Sequence, residues 1–466
     1  MAGEVTATTA ILQSRLTSTA GNVNEKWSGI PGRRGFAQFE YGASPNFQGS
    51  LRTGWLEAHP GRDYIVKATV SGLLPATRYY YRLHYGPDKT KTLVSQTATF
   101  RTLAGRSAAT YSFAVVTGMN YSFFHHQGGP IYPAYRGPDK HLGYPGLASI
   151  RKLKPDFFVG TGDNVYYDHP ALGRAETLHQ MRMKHQEQYS QPRFIELFRE
   201  VATYWEKDDH DYRFNDSDPV NPFPVPGGVS RETAYPESGS QPSHELGVYV
   251  FREQLPVTDP LDKDAVTYRT HRVSRDLQVW FVEGRDYRSP NDMPDGPGKS
   301  IWGERQKAWL KQTLMESDAA FKILISPTPM VGPDSGNKRD SHVNLRGFRH
   351  EGDEFFRWLA ANGFDKKSFY IVCGDRHWQY HAVHPSGIEE FSVGALVAAN
   401  VFAGVKPGTK NSTDPKGLIK HLHFNETPTA GFLIFTVKPG PPPAAVFDFH
   451  DKWGKLLYSV TRQATR

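Results

Sequence analysis

Two regimes of hydrophobic patterning meet near residues 105–110. Before that point, short segments alternate apolar and polar positions: Ala37 to Tyr41, Tyr64 to Val70 and Tyr79 to Leu83, parted by turn residues. A period of two is what a strand buried on one face requires. No helical period competes with it, so residues 1–106 are expected to form a small β-sandwich. The polar, small-residue stretch Thr102 to Ala109 then acts as a linker. Beyond it the apolar runs are continuous: Ser112 to Val116, Phe157 to Val159, Val279 to Val282, Phe321 to Ile325 and Phe369 to Cys373. Such runs suit strands covered on both faces. Helix-like stretches lie between several of them, at Leu147 to Leu153, Glu304 to Met315 and Glu351 to Asn362. Strands alternating with helices predict a layered α/β domain over residues 107–466. Alternation returns at Gly431 to Val437 and Ala445 to Phe449 around Pro439-Gly440-Pro441, which reads as a closing antiparallel hairpin. Tyr212 to Gly247, rich in Pro, Gly, Ser and Asp, reads as a long functional or mobile loop.

Composition narrows the function classes. The 466 residues are 38% hydrophobic and 13% aromatic, enough for packed cores and against global disorder. No window reaches 18 consecutive apolar residues, so no transmembrane helix is expected. Met1 to Ala10 lack the basic start and apolar stretch of a secretory signal, which leaves an intracellular protein or a signal outside this sequence. The net charge of +7 is thinly spread and asks for no nucleic-acid partner. Cys373 is the single cysteine, so neither an intramolecular disulfide nor a cysteine-built zinc site is available. Its apolar neighbours predict a buried strand residue.

The chemistry follows the strands. Phe157 to Val159 runs into Gly160 to Asp168, Val201 to Trp205 into Asp208-Asp209-His210-Asp211, and Phe369 to Cys373 into Gly374-Asp375-Arg376-His377. Ligands of open α/β sheets bind at the carboxyl ends of strands. Carboxylates gathered there repel one another, and a metal cation is the usual remedy. Gly162 permits the sharp turn that would aim Asp163 at a cavity, where its two oxygens could bridge two ions. Tyr166 would reach the same ion if a short helix starts there, and a phenolate favours ferric iron. Asp375 and His377, two apart, would point the same way on extended backbone. A helix N-cap or a solvated loop accounts for each motif taken singly, but not for all three at strand ends.

Together these residues resemble the alkaline phosphatase D (PhoD-like) family of the metallophosphoesterases. Gly162 to Tyr166 matches its Gly-Asp-X-X-Tyr, Asp208 to His210 its Asp-Asp-His, and Gly374 to His377 its Gly-Asp-X-His. Arg285 to Arg288, Trp302 to Leu310 and Ile325 to Met330 are further matches. The resemblance implies a fibronectin III-like N-terminal β-sandwich followed by a four-layer α/β/β/α catalytic domain. The stretch Ser71 to Leu83 is similar to the corner of such sandwiches, where a tyrosine hydroxyl ties to nearby backbone. Also implied are Fe3+ held by Asp163, Tyr166 and His377, and a divalent ion, Ca2+ in some members, held by Asp163, Asp209 and Asp375. His210 would contact the phosphate or protonate the leaving oxygen. Arg285 would hold phosphate or form a structural ion pair.

One position departs from the family: Gly118 stands where a cysteine thiolate usually reaches the iron, leaving Asn120 or water to substitute and Zn2+ or Mn2+ as alternatives. His125 and His126, just downstream, are candidates for the pocket lining. The implied activity is a phosphatase or phosphodiesterase using a metal-activated hydroxide on a small phosphate ester. Alternatives are a diesterase directed at phospholipids or nucleotides, or a degenerate protein binding a surface through its N-terminal domain. A periplasmic or secreted location is carried by resemblance alone.

Overall fold

The computed structural model describes residues 1–18, 29–126, 134–170, 173–220, 242–258, 262, 264–397, 404–427 and 429–465. Their strands, numbered along the chain, build three sheets. The first has the order β22 (Leu456–Gln463), β21 (Ala444–Asp451), β20 (Gly431–Lys438), β10 (Tyr111–Val116), β11 (Phe157–Thr161), β12 (Ala202–Glu206), β1 (Ala2–Gly3), β2 (Thr9–Arg15) and β6 (Ile65–Ser71). The second runs β13 (Arg269–Ser274), β14 (Leu277–Phe281), β15 (Phe321–Ser326), β16 (Ser368–Cys373), β18 (Glu389–Val393), β17 (Gln379–Val383) and β19 (Lys420–Phe424). The third comprises β4 (Leu51–Arg52), β3 (Gly35–Gly42), β7 (Arg78–Gly86) and β8 (Leu93–Val94), with β5 (Leu56–Ala58) on β3 and β9 (Ala98–Arg101) on β7.

Strand parity sorts the side chains into layers. Phe113, Val115, Phe157 and Val159 meet Val279, Phe281, Ile323 and Val372 in a core between the first two sheets. Their chain neighbours Ala114, Val116 and Phe158, with Trp205 on β12, face helices Pro145–Leu153, Pro192–Phe198 and His244–Gln254. Trp280, Leu324, Ile371 and Cys373 face helices Gly303–Glu316 and Arg349–Ala361. Four layers result, helix, sheet, sheet, helix. Each fully buried large apolar side chain contributes about 1.5–3 kcal/mol, which is why runs apolar on both parities belong here. Cys373 is one of these buried strand residues. The three helices expected from periodicity are present, with ends shifted by one or two residues. The closing hairpin β20–β21 is antiparallel and is extended by β22.

The first sheet continues past the change in patterning. Ala2 and Gly3 pair in parallel with Ala202 and Thr203, and β2 and β6 follow outward. Gly3 suits that place because a Cβ there would sit 2.5 Å from Pro256. The third sheet packs onto this extension, with Phe39, Tyr41, Leu83 and Phe100 in the same core as Leu12, Val66 and Val70. Tyr79 Oη accepts from the Leu74 N–H at 2.9 Å. Lys67 on β6 donates to the carbonyls of Arg252, Leu255 and Thr258 at 2.7–2.8 Å, closing the C-terminal end of helix His244–Gln254. Among the described residues, no helix is long and apolar enough to cross a membrane.

Candidate metal centre

Parallel pairing brings strand ends to one edge. Thr161 at the end of β11 lies opposite Glu206 at the end of β12. The end of β16 arrives from the other sheet so closely that a Cβ on Gly374 would stand 2.4 Å from the Thr161 carbonyl. Gly162 has φ 79°, and a Cβ there would meet Asp208 Cβ at 2.5 Å. Glycine is therefore needed at both crossings.

From these ends Asp163, Tyr166, Asp209, His210 and His377 converge. Tyr166 Oη donates to Asp163 Oδ2 at 2.9 Å, and His377 Nε2 lies 3.0 Å from the same oxygen. Tyr166 Oη and His377 Nε2 are 3.3 Å apart. Donor atoms of Asp163, Asp209 and His210 lie within 4.8 Å of one another. Asp163 Oδ1 is buried and has no hydrogen-bond partner among the described residues, an orphaned acceptor of the kind a cation satisfies.

Two local expectations need correction. Residues 163–168 form a turn rather than the start of a helix, with Asp163 at φ 53°; Tyr166 still comes back over Asp163. Asp375 is not on extended backbone but at φ 56°. Its carboxylate is paired with Arg376, which also holds Asp334.

Electrostatics explain why such a centre calls for positive charge. Burial pushes the Asp163 carboxyl up to about 8, with Asp209 and Asp375 adding to it and His210 opposing. Burial would raise Asp209 too, but the charges of His210 and Arg285 hold it well below the ordinary range. Burial lowers His377 to about 3, leaving the neutral imidazole that ligates metals. In His210, burial is overcome by Asp168, Asp209 and Asp163, which raise the imidazole well above its usual value.

The remaining candidates have other partners. Arg285 is fully buried, donating through Nε to Asp208 Oδ1 at 2.8 Å and through Nη1 to the Ser217 carbonyl at 2.8 Å, with Nη2 also on Asp208. The ion pair, one of its two expected roles, is present. Asn120 Oδ1 accepts from Phe123 N–H at 3.0 Å, and its Nδ2 lies 2.5 Å from His169 Nδ1. The amide oxygen proposed as a stand-in ligand is thus engaged in starting helix Tyr121–His126. His125 Nε2 lies 3.1 Å from Gln191 Oε1. Most of the Tyr212 to Gly247 loop, residues 221–241, lies outside the described residues.

Sequence reasoning gave no role to Asp168, whose oxygens lie 2.8 and 2.9 Å from His210 Nδ1. It also missed Asp211, which accepts from Asp208 N–H and the Asn164 side chain at 2.6 Å each and so ties two of the loops together. Asp216, Lys338 and Asp340 were missed as well. A buried histidine needs an acceptor for its second nitrogen, and Asp168, on the same loop as Asp163, was the signal available.

Gly118 has φ 64°, and a Cβ there would be 2.7 Å from Ala395 Cβ and 3.2 Å from His377 Cδ2. A side chain at this position must displace Ala395. Gly118→Cys is expected to lower stability by about 2 kcal/mol or more, from left-handed strain and overpacking together. Urea unfolding checks this, with partial recovery in the Gly118→Cys/Ala395→Gly double variant.

This layering, with a buried acid, phenol and imidazole centre at facing sheet edges, marks a metal-dependent phosphoester hydrolase. The PhoD-like phosphatase model matches residues 113–441 and the PhoD-like phosphatase N-terminal domain model matches residues 1–104. The chain belongs to the PhoD-like phosphatase family. Among solved structures it is similar to PhoD, with TM-score 0.74 and 18% identity over 100% of this chain and 89% of that one. It is also similar to purple acid phosphatase PPD1 from yellow lupin (Lupinus luteus) seeds, with TM-score 0.62 and 13% identity over 99% of this chain and 73% of that one. No curated protein matches the sequence.

Proposed function

We propose that this phosphatase hydrolyses small phosphate esters at the Asp163 centre, with Asp163 shared between two cations. Asp163, Tyr166 and His377 would hold one ion, Fe3+ being the reading their phenol favours. Asp163, Asp209 and Asp375 would hold the second, for which carboxylate oxygens suit Ca2+. Cations bound there would neutralise phosphate oxygens and lower the pKa of water towards neutrality. The chain's own groups do the rest. His210, its Nδ1–H fixed on Asp168, keeps Nε2 for the ester and is the candidate proton donor to the leaving oxygen. Arg285 holds Asp208 in place beside Asp209 and thereby orients the loop. Arg376 does the same for Asp375. Export from the cytoplasm is part of this reading and rests on family membership.

The supporting observation is the meeting of Asp163 Oδ2 with Tyr166 and His377 at 2.9 and 3.0 Å across two sheets. Elemental analysis of protein purified without added metals tests it, read beside the visible spectrum and hydrolysis of p-nitrophenyl mono- and diesters. Two metal equivalents and chelator-sensitive hydrolysis are expected, with a visible band if tyrosinate binds ferric iron. Metal-free protein whose activity ignores chelators would refute it.

A further inference from the structure

Asp209 also belongs to a second acidic group. Carboxylate oxygens of Asp209, Asp216 and Asp340 lie within 4.8 Å of one another. Asp216 sits at φ 51°, where its N–H donates to Asp209 Oδ2 at 2.6 Å. Asp340 is 1% exposed, and neither of its carboxylate oxygens accepts a hydrogen bond from the described residues. Burying a carboxylate without hydrogen bonds is costly unless a countercharge stands close. Neighbouring arginines direct their hydrogen bonds elsewhere, Arg285 to Asp208, Arg376 to Asp334 and Asp375, and Arg288 to the Asp340 main-chain carbonyl, so that Arg376 and Arg285 act on the Asp340 carboxyl only at longer range and after Lys338. Among the described residues the ammonium in this group is that of Lys338, whose Nζ lies 2.8 Å from Asp216 Oδ1 and 3.8 Å from Asp340 Oδ2.

We propose that Lys338 is the resident cation of this second group, its tethered ammonium taking the place a divalent ion would otherwise occupy. An ammonium is a compact point charge on a flexible stem, and the chain keeps it at high local concentration without drawing on ions in solution. Three carboxylates are the hard oxygen set that divalent cations prefer, so the same group would accept one once the ammonium is gone. The Lys338 side chain is 29% exposed, which gives an ion a route inward. The proposal shares Asp209 with the metal reading above but is tested by a difference in stoichiometry.

Wild type, Lys338→Ala, Lys338→Arg and Asp340→Asn are brought to equilibrium with calcium chloride by dialysis, and bound calcium per chain is measured. Lys338→Ala is expected to bind one equivalent more than wild type, whereas Lys338→Arg, which keeps the charge, gains none. Asp340→Asn is expected to match wild type, and in the Lys338→Ala background to remove the gained ion. A wild-type count in Lys338→Ala overturns the proposal. So does the loss of one equivalent in Asp340→Asn alone, which needs no lysine variant to fold. Wild-type protein that binds no metal at all would refute the hydrolase's metal reading instead, and the increment in Lys338→Ala would still decide the role of the lysine.

Discussion

Asp163→Asn is expected to lower hydrolysis of a chromogenic phosphodiester by at least about 10³-fold, the equivalent of ~4 kcal/mol of transition-state stabilisation. The substitution keeps the shape of the side chain and removes only its charge. It also suits the backbone: Asp163 lies at φ 53°, a region asparagine enters more readily than most residues. The loss will therefore report chemistry rather than misfolding. Asp163 Oδ2 faces both Tyr166 and His377, and Oδ1 has no hydrogen-bond partner among the described residues, so under the proposed two-cation reading an amide would remove the charge meant to be shared between the ions. Metal content is expected to fall along with activity. Near-normal turnover with full metal content would reject the bridging role.

The layers were legible because burial on both faces leaves a direct mark. Phe157-Phe158-Val159 must be apolar at every position, since Phe157 and Val159 enter the inter-sheet core while Phe158 faces the helices. The three acidic strand ends were legible for a related reason: parallel strands place their carboxyl ends together, so polar runs that follow them share an edge. What stayed hidden lacks a local signal. β1 is two residues long, and its pairing with β12 is decided 200 residues away, by Ala202 and Thr203. Helix Leu178–Tyr189 buries Lys184, His185, Glu187 and Gln188 among its inward residues, so no apolar stripe announces it; only the capping box of Thr177 and Gln180 does. Asp340 and Lys338 sit in an irregular stretch after β15 whose course depends on Asn344 accepting from the Asp340 and Ser341 N–H groups. The turn that aims Tyr166 and the left-handed Asp375 were misjudged because tertiary closure, not propensity, sets those backbone angles.

The pairing of His210 with Asp168 carries the other large expected effect. Asp168→Asn keeps a polar group against Nδ1 but replaces the acceptor pair with an amide able to present an N–H, which turns the imidazole towards the wrong tautomer. Turnover of alkyl phosphate esters is expected to fall about 10²–10⁴-fold, the usual weight of a general acid. p-Nitrophenyl esters, whose leaving oxygen needs little protonation, should lose far less. The pH profile gives a second reading with a definite sign. Burial disfavours the imidazolium and Asp168 is the foremost charge that restores it, so removing that charge lowers the His210 pKa. The alkaline limb for alkyl esters should accordingly move to lower pH, and His210→Gln should abolish it. Equal losses for alkyl and nitrophenyl esters would mean that His210 contacts the phosphate rather than protonating the leaving group. In that case Asp168 would be fixing the direction of the ring, and the proton for the leaving oxygen would have to come from solvent.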